Sequence, residues 1–253
     1  MRILCSNDDG VHAPGLESLV RIARTLSDDV WVCAPQEEQS GAARALTLSA
    51  PIRVRAYGER RFAVSGTPTD AVMMAVSRLM GDEKPDLVLS GVNNGQNLAE
   101  DVTFSGTIAA ALQGMTLGVP SIALSLARFS PERARWETAE AHAPGLIRKL
   151  LDAGWPDDVV VNVNFPDCAP DEVKRVRVTS QGRRDAISLY TEERTDLRGR
   201  QYFWFGFSGK LSDPPTGTDL RSVYDGEISV TPLHLSLTHE GSLNSLSAAL
   251  ADD

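Results

Sequence analysis

The chain lacks most of what would commit a sequence to a membrane, a disulfide framework or a nucleic-acid surface. No stretch approaches the ~20 consecutive apolar residues of a membrane-spanning helix. Three of its 253 residues are cysteines, an odd number without metal-type spacing. Cys5 and Cys33 lie in apolar, strand-like runs, and Cys168 follows Pro166-Asp167 in a loop. Reduced thiols and a cytoplasmic location are therefore expected. The first strand pattern begins at residue 1, so no signal peptide is expected before it. Positive charge is also short: 34 acids against 25 lysines and arginines give a net charge of −9. That balance argues against coating a nucleic-acid polymer. It leaves room for a small anionic substrate, because a site cation and amide donors reverse the field locally. Three catalytic signatures are missing as well: a Gly-x-Ser-x-Gly elbow, an Asp-x-Asp pair and the lysine of a phosphate loop.

What is present is an α/β pattern with 42% hydrophobic residues, enough for a sizeable core. Ile3-Leu4-Cys5 reads as a buried strand. A helix is predicted from Pro14 to about Leu26, with Leu16, Leu19, Val20, Ala23 and Leu26 on one face. Strands follow at Val30–Ala34 and Phe62–Ser65, with a further strand or hairpin arm between Ala45 and Arg55. Gly66-Thr-Pro-Thr-Asp70 is a helix start, with Thr67 as N-cap, Pro68 at the first position and Asp70 in the first turn. That helix should run to about Met80. Asp86–Ser90 and Ser121–Ser125 are strands, with a helix starting near Gly106 between them. Strands alternating with helices mean a doubly wound, mostly parallel sheet. A helix over Trp136–Asp152, a strand over Val159–Val163 and an aromatic strand over Tyr202–Phe207 follow. A composition shift near Leu126 suggests a division into 1–125 and 126–253.

The chemistry gathers just past the predicted strands, where open α/β sheets bind ligands. Asp8 and Asp9 follow the first strand. Adjacent carboxylates repel unless a cation lies between them, so a divalent metal with oxygen ligands is the simplest stable arrangement. Past the next strand, Ser40 could offer a hydroxyl to that metal, while Glu37 and Glu38 read as solvated. Asn93, Asn94 and Asn97 crowd the loop after Ser90, offering carbonyls to a hard cation and amides to an oxyanion. Ser105, Gly106 and Thr107 would open a helix, whose free amides and dipole suit an anion. His12 lies near the proposed metal, while His142, His234 and His239 read as structural. Together these loops suggest phosphate-ester hydrolysis, with attack by a metal-activated water favoured over a covalent aspartyl intermediate. A nucleotide-sensing module without turnover is the alternative, although a sensor would not need clustered acids. A metal-dependent glycosyltransferase would want Asp-x-Asp.

These segments resemble the SurE family of phosphatases and nucleotidases. The resemblance rests on Ser6-Asn-Asp-Asp-Gly-Val-His-Ala-Pro-Gly15, Ala34-Pro35 with Ser40-Gly41, and Gly66-Thr-Pro-Thr-Asp70. It continues in Ser90-Gly-Val-Asn93 with Gly95 and Asn97, Asp101-Val102 with Ser105-Gly-Thr107, and Ile228-Ser-Val-Thr-Pro232. It implies a Rossmann-like catalytic domain and a phosphomonoesterase acting on nucleoside 5′- and 3′-monophosphates, in some members on short polyphosphate. One magnesium or manganese ion per subunit would be held by Asp8, Asp9, Ser40 and Asn93, with Asp8 and Asp9 catalytic. Asn97, Ser105, Gly106 and Thr107 would seat the phosphate. A β-hairpin arm and a terminal helix, matching Tyr202–Phe207 and Leu243–Leu250, would build a homodimer or homotetramer. The chain departs from the pattern at Gln39, Arg44, Ala99 and Phe104. Arg44 is expected to replace, beside the substrate, the positive charge that Gln39 lacks.

Overall fold

A computed structural model describes residues 1–129, 133–184, 188–208 and 213–251. The elements run β1 (Arg2–Ser6), α1 (Pro14–Arg24), β2 (Asp29–Pro35), β3 (Val54–Gly58), β4 (Arg61–Val64) and α2 (Pro68–Met74). Next come β5 (Leu87–Asn94), α3 (Gly106–Thr116), β6 (Ser121–Leu126), α4 (Trp136–Ala153), β7 (Val159–Phe165) and β8 (Val176–Val178). The chain then forms β9 (Ser188–Thr195), β10 (Gln201–Ser208), α5 (Asp219–Tyr224), β11 (Ile228–His234) and α6 (Glu240–Ala249). Nine strands make one sheet in the order β3-β4-β2-β1-β5-β6-β7-β11-β8. The run from β4 to β7 is parallel. Strands β3 and β11 pair antiparallel with β4 and β7.

Pleating sorts the side chains of β1 onto two faces. Ile3 and Cys5 pack with Leu16, Leu19 and Ile22 of α1 and Ile147 of α4. Leu4 packs on the other face with Val72 of α2 and Ala110 of α3. Helices on both faces are what a fully buried parallel sheet requires. Each of these side chains is completely or almost completely buried, so truncating one of the leucines or isoleucines to alanine costs about 2–5 kcal/mol. The helix starts expected at Pro14, Thr67, Gly106 and Trp136 are all present. Pro14 opens α1, and Thr67 and Asp70 form a reciprocal capping box at α2. The second helix continues beyond Met74 as a wider π-turn over Ala75–Leu79.

Three expectations are corrected. Most of Ala45–Arg55 is irregular, and only Val54 and Arg55 belong to a strand, the edge strand β3, all of whose residues are exposed. Apolar and polar residues alternate too weakly here to bury one face. Strand β5 does not stop at Ser90. It runs to Asn94 through a register shift against β6 between Ser90 and Asn93. Such bulges re-aim side chains near sites. A Cβ on Gly91 would lie 2.1 Å from the Leu124 carbonyl, so this glycine permits the approach of the neighbouring strand rather than of a ligand. Finally, the sheet continues across residues 125/126. Strand β6 pairs with β7, and β7 with β11, while the β9–β10 hairpin forms a separate two-stranded sheet. Cys5 and Cys33 are buried thiols, pushed up to about 12 by burial. Among the described residues, no helix is long and apolar enough to cross a membrane.

Candidate active site

The carboxyl ends of β1, β2 and β5 meet the first turns of α1 and α3 around a cleft of about 890 Å³. Its polar lining includes Asp8, Asp9, Glu38, Ser40, Asn93, Asn97, Asp101 and Ser105. Asn7 shapes the turn after β1 by donating its side-chain amide to the Gly10 carbonyl at 3.0 Å. That turn delivers Asp8 and Asp9 to the floor. The Asp8 carbonyl accepts the Gln39 N–H at 2.8 Å, which ties the loop after β2 to the same point.

Asp8 is 4% exposed, and burial pushes its carboxyl up to about 6. The neighbouring Asp9 charge adds to the rise, while the Thr107 hydroxyl and backbone N–H oppose it. Burial also raises Asp9, with the Glu38 charge adding and the Asn94 N–H, at 3.3 Å, opposing. The Asp9 charge thus raises the cost of ionising Asp8, and the Glu38 charge that of ionising Asp9. Among the described residues lining the cleft there are four carboxylates, Asp8, Asp9, Glu38 and Asp101, and no lysine or arginine. Asp101 is tied to Arg184 at 2.6 Å. Arg128 reaches the Asn94 side chain at 3.1 Å.

The donor set suits a hard cation. Ser40 donates its proton to Glu38 Oε1 at 2.8 Å, leaving oxygen lone pairs available. Asn93 donates its amide to the Gly95 carbonyl at 2.9 Å, which leaves Oδ1 as an acceptor. Two carboxylates with a hydroxyl and an amide oxygen are magnesium- or manganese-type ligands. Among the described residues, no group of three His, Cys, Asp or Glu side chains could hold a metal by itself. A cation here would therefore need the neutral oxygens of Ser40 and Asn93.

The expected phosphate seat divides into two roles. Asn97 and Ser105 line the cleft. Ser105 caps α3 by accepting the Ile108 N–H at 3.1 Å, which leaves its own hydroxyl hydrogen to donate. Thr107 is fully buried and turns its hydroxyl to Asp8 Oδ1. Gly106 makes that contact possible: a Cβ there would stand 2.6 Å from the Asp8 Cβ. The α3 terminus thus braces Asp8 directly. Asn97 is braced from β7. Its N–H donates to Asn164 Oδ1 at 2.8 Å, and its carbonyl accepts the side-chain amides of Asn162 and Asn164 at 2.9 and 3.1 Å. Its own side-chain amide donates to Ser125 Oγ at 2.8 Å. Sequence reading passed over Asn162 and Asn164. Two asparagines alternating inside an otherwise apolar strand were the available signal, because buried polar groups need partners.

Two candidates are not brought to the cleft. Arg44 turns away and donates to Gln113 Oε1 and Thr116 Oγ1 of α3 at 3.2 and 2.7 Å. The α3 acceptors satisfy its guanidinium, which corrects the expectation of a charge beside the substrate. His12 packs edge-on against Tyr57 at 4.8 Å and is exposed. His142 bonds the Pro170 carbonyl at 2.8 Å, and His239 bonds Ser242 at 2.6 Å. Conversely, Glu38, Asn94, Gln96, Trp136 and Phe205 join the lining, and the exposed ring of Phe104 lies on its rim.

The family model for survival protein SurE matches residues 3–188. The chain belongs to the SurE family. A 5′-nucleotidase SurE from Caulobacter vibrioides is 62% identical over 99% of this chain and 96% of its own length. One from Phenylobacterium zucineum is 58% identical over 99% and 97%. The crystal structure of the SurE protein from Aquifex aeolicus superposes with a TM-score of 0.85 at 36% identity, covering all of both chains. The SurE fold therefore spans the whole molecule, including the two-stranded hairpin.

Proposed function

We propose that this chain is a divalent-metal-dependent phosphomonoesterase that hydrolyses nucleoside 5′- and 3′-monophosphates. The supporting observation is the cleft's charge. With Asp101 paired to Arg184, the three carboxylates of Asp8, Asp9 and Glu38, with no lysine or arginine among the described lining residues, would repel a phosphate monoester. The repulsion reverses only if a cation sits among them. Relatives bearing the name 5′-nucleotidase point to the same substrates. A sensing module is disfavoured, since it would read phosphate with amides and arginines and gain nothing from crowded acids.

One magnesium or manganese ion per subunit, held by Asp8, Asp9, Ser40 and Asn93, would supply Lewis-acid polarisation of the phosphoryl group and acidify a water. The chain's own groups do the rest. Asp8 is held rigid by Thr107 and the α3 terminus. Asp9 stands beside it to orient a water. Asn97 keeps one side-chain amide hydrogen free after its bond to Ser125. With the Ser105 hydroxyl and the Gly106 N–H, which has no intrahelical acceptor, it stabilises charge growing on the phosphoryl oxygens. Phe104 and Trp136 offer apolar surface beside this polar floor, where a nucleoside would lie.

The exposed Phe203 and Trp204 of the hairpin, Leu246 of α6 and Leu250 just after it are proposed to pack on partner subunits of a homodimer or homotetramer. The buried free thiols suit a reducing compartment, the cytoplasm. Phosphate release from a panel of nucleoside monophosphates and short polyphosphate, with EDTA and then with magnesium or manganese restored, tests the function. Release from nucleotides that stops with EDTA and returns with metal is expected. Full activity in EDTA, or none under any condition, would refute it.

A further inference from the structure

Residues 97–101 lead from the Asn97 side of the cleft toward the start of α3, where Ser105 stands. Midway lies Ala99, fully buried, with a φ of 52°. That left-handed conformation presses a Cβ against its own carbonyl region, and alanine adopts it only where the surroundings dictate it. Here the surroundings come from far along the chain. The Ala99 N–H donates to Asp219 Oδ2 at 2.9 Å, and its carbonyl accepts from Gln181 Nε2 at 2.9 Å. Asp219, itself fully buried in the first turn of α5, also accepts the N–H groups of Gly182 and Leu220 at 2.8 and 2.7 Å on Oδ1. Arg184 donates to the Leu98 carbonyl at 3.2 Å and to Asp101 at 2.8 and 2.6 Å. Neither Asp219 nor Gln181 lines the cleft.

We infer that Asp219 is a positioning residue for the phosphate seat, holding the Ala99 amide in the left-handed turn that sets Asn97 and Ser105 against the cleft. The inference rests on the nucleotidase reading above and extends it to a residue outside the cleft. A carboxylate is required because both oxygens must accept: three N–H groups converge on one side chain. Asparagine would turn an NH₂ toward at least one of them. The cation ligands stand in the turn after β1, on β5 and in the loop after β2, with none of which Asp219 forms a hydrogen bond, so phosphate binding and metal binding should separate.

The experiment measures kcat, KM for a nucleoside monophosphate, inhibition by inorganic phosphate and half-saturating magnesium. Wild type is compared with Asp219→Asn, the double variant Asp219→Asn/Ala99→Gly, and Gln181→Leu. Asp219→Asn should raise both KM and the phosphate inhibition constant about ten-fold or more, with half-saturating magnesium unchanged. Adding Ala99→Gly should recover most of the loss, because glycine enters the left-handed region without help. Gln181→Leu removes a bond from an exposed side chain and should shift the same constants by a smaller factor. It carries the test if Asp219→Asn does not fold. A role in stability alone would lower the active fraction and leave KM and the phosphate constant untouched. That outcome overturns the inference, as does a double variant without recovery. A wild-type chain that releases no phosphate overturns the nucleotidase reading instead.

Discussion

Gly106→Ala sets two forces of opposite sign against each other. Replacing glycine by alanine gains about 0.5–1 kcal/mol in a helix interior, and at the first position of α3 the same restriction of the unfolded chain still favours alanine by about 0.4–1 kcal/mol where the site can hold it. At this position the new Cβ would stand 2.6 Å from the Asp8 Cβ, 2.9 Å from its Oδ2 and 3.1 Å from its Cγ. Carbon atoms pack best about 3.5–4.0 Å apart, so the overlap is close to 1 Å. The Asp8 Cβ cannot give way easily, because its turn is tied down by the Gln39 N–H on the Asp8 carbonyl at 2.8 Å and by the Asn7 amide on the Gly10 carbonyl at 3.0 Å. Either the first turn of α3 retreats, or Asp8 leaves Thr107. Overpacking of this kind costs about 1–3 kcal/mol. At about 2–4 °C per kcal/mol for a chain of this size, the melting temperature should fall by several degrees. A displacement near 1 Å at the reacting centre should lower kcat/KM about a hundred-fold. Gly145→Ala on α4 is the control: nothing lies within 4 Å of its Cβ, so it should melt slightly higher and turn over normally. Thermal melts followed by phosphate-release kinetics read both effects. A Gly106→Ala protein that matches the Gly145→Ala control in both would refute the close packing of α3 against Asp8.

Asp8→Asn should abolish most metal-dependent turnover yet melt higher than metal-free wild type at pH 8. Burial holds the folded carboxyl near 6, above its ordinary 3.8, so wild-type stability falls as pH rises from about 4 to about 6 and stays low above. Near-normal turnover with magnesium would remove Asp8 from the ligand set. Arg44→Ala should leave kcat/KM within about two-fold, since its partners lie on α3. A ten-fold drop would restore it to the substrate's neighbourhood. Glu227 is held down to about 2 by hydrogen bonds and charge from Arg177 and Arg175. Its contribution is present above pH 4.5 and lost as pH falls toward 2. The melting curves of Glu227→Gln and wild type should therefore converge over that interval, and a gap that persists at pH 2 would contradict the pairing.

The sequence by itself determined the alternation of strands and helices, the two apolar faces of β1, the Pro14 and Thr67 helix starts, and the placing of Asp8, Ser40, Asn93 and Ser105 on one sheet edge. Each depends on periodicity or on capping within a few residues, and short-range physics is written locally. Tertiary structure alone decided where side chains found partners. Arg44 turned to α3, where the Gln113 side-chain carbonyl and the Thr116 hydroxyl accept its N–H groups. Thr107 turned both donors to Asp8 once Gly106 let strand and helix close. The bulge in β5 re-aimed Asn93. Asn97 is clamped by Asn164, 67 positions away, and Ala99 by Asp219, 120 positions away. Such pairings have no local signature, because a buried donor takes whichever acceptor the packed sheet brings within 3 Å, and only the closed fold fixes which one that is.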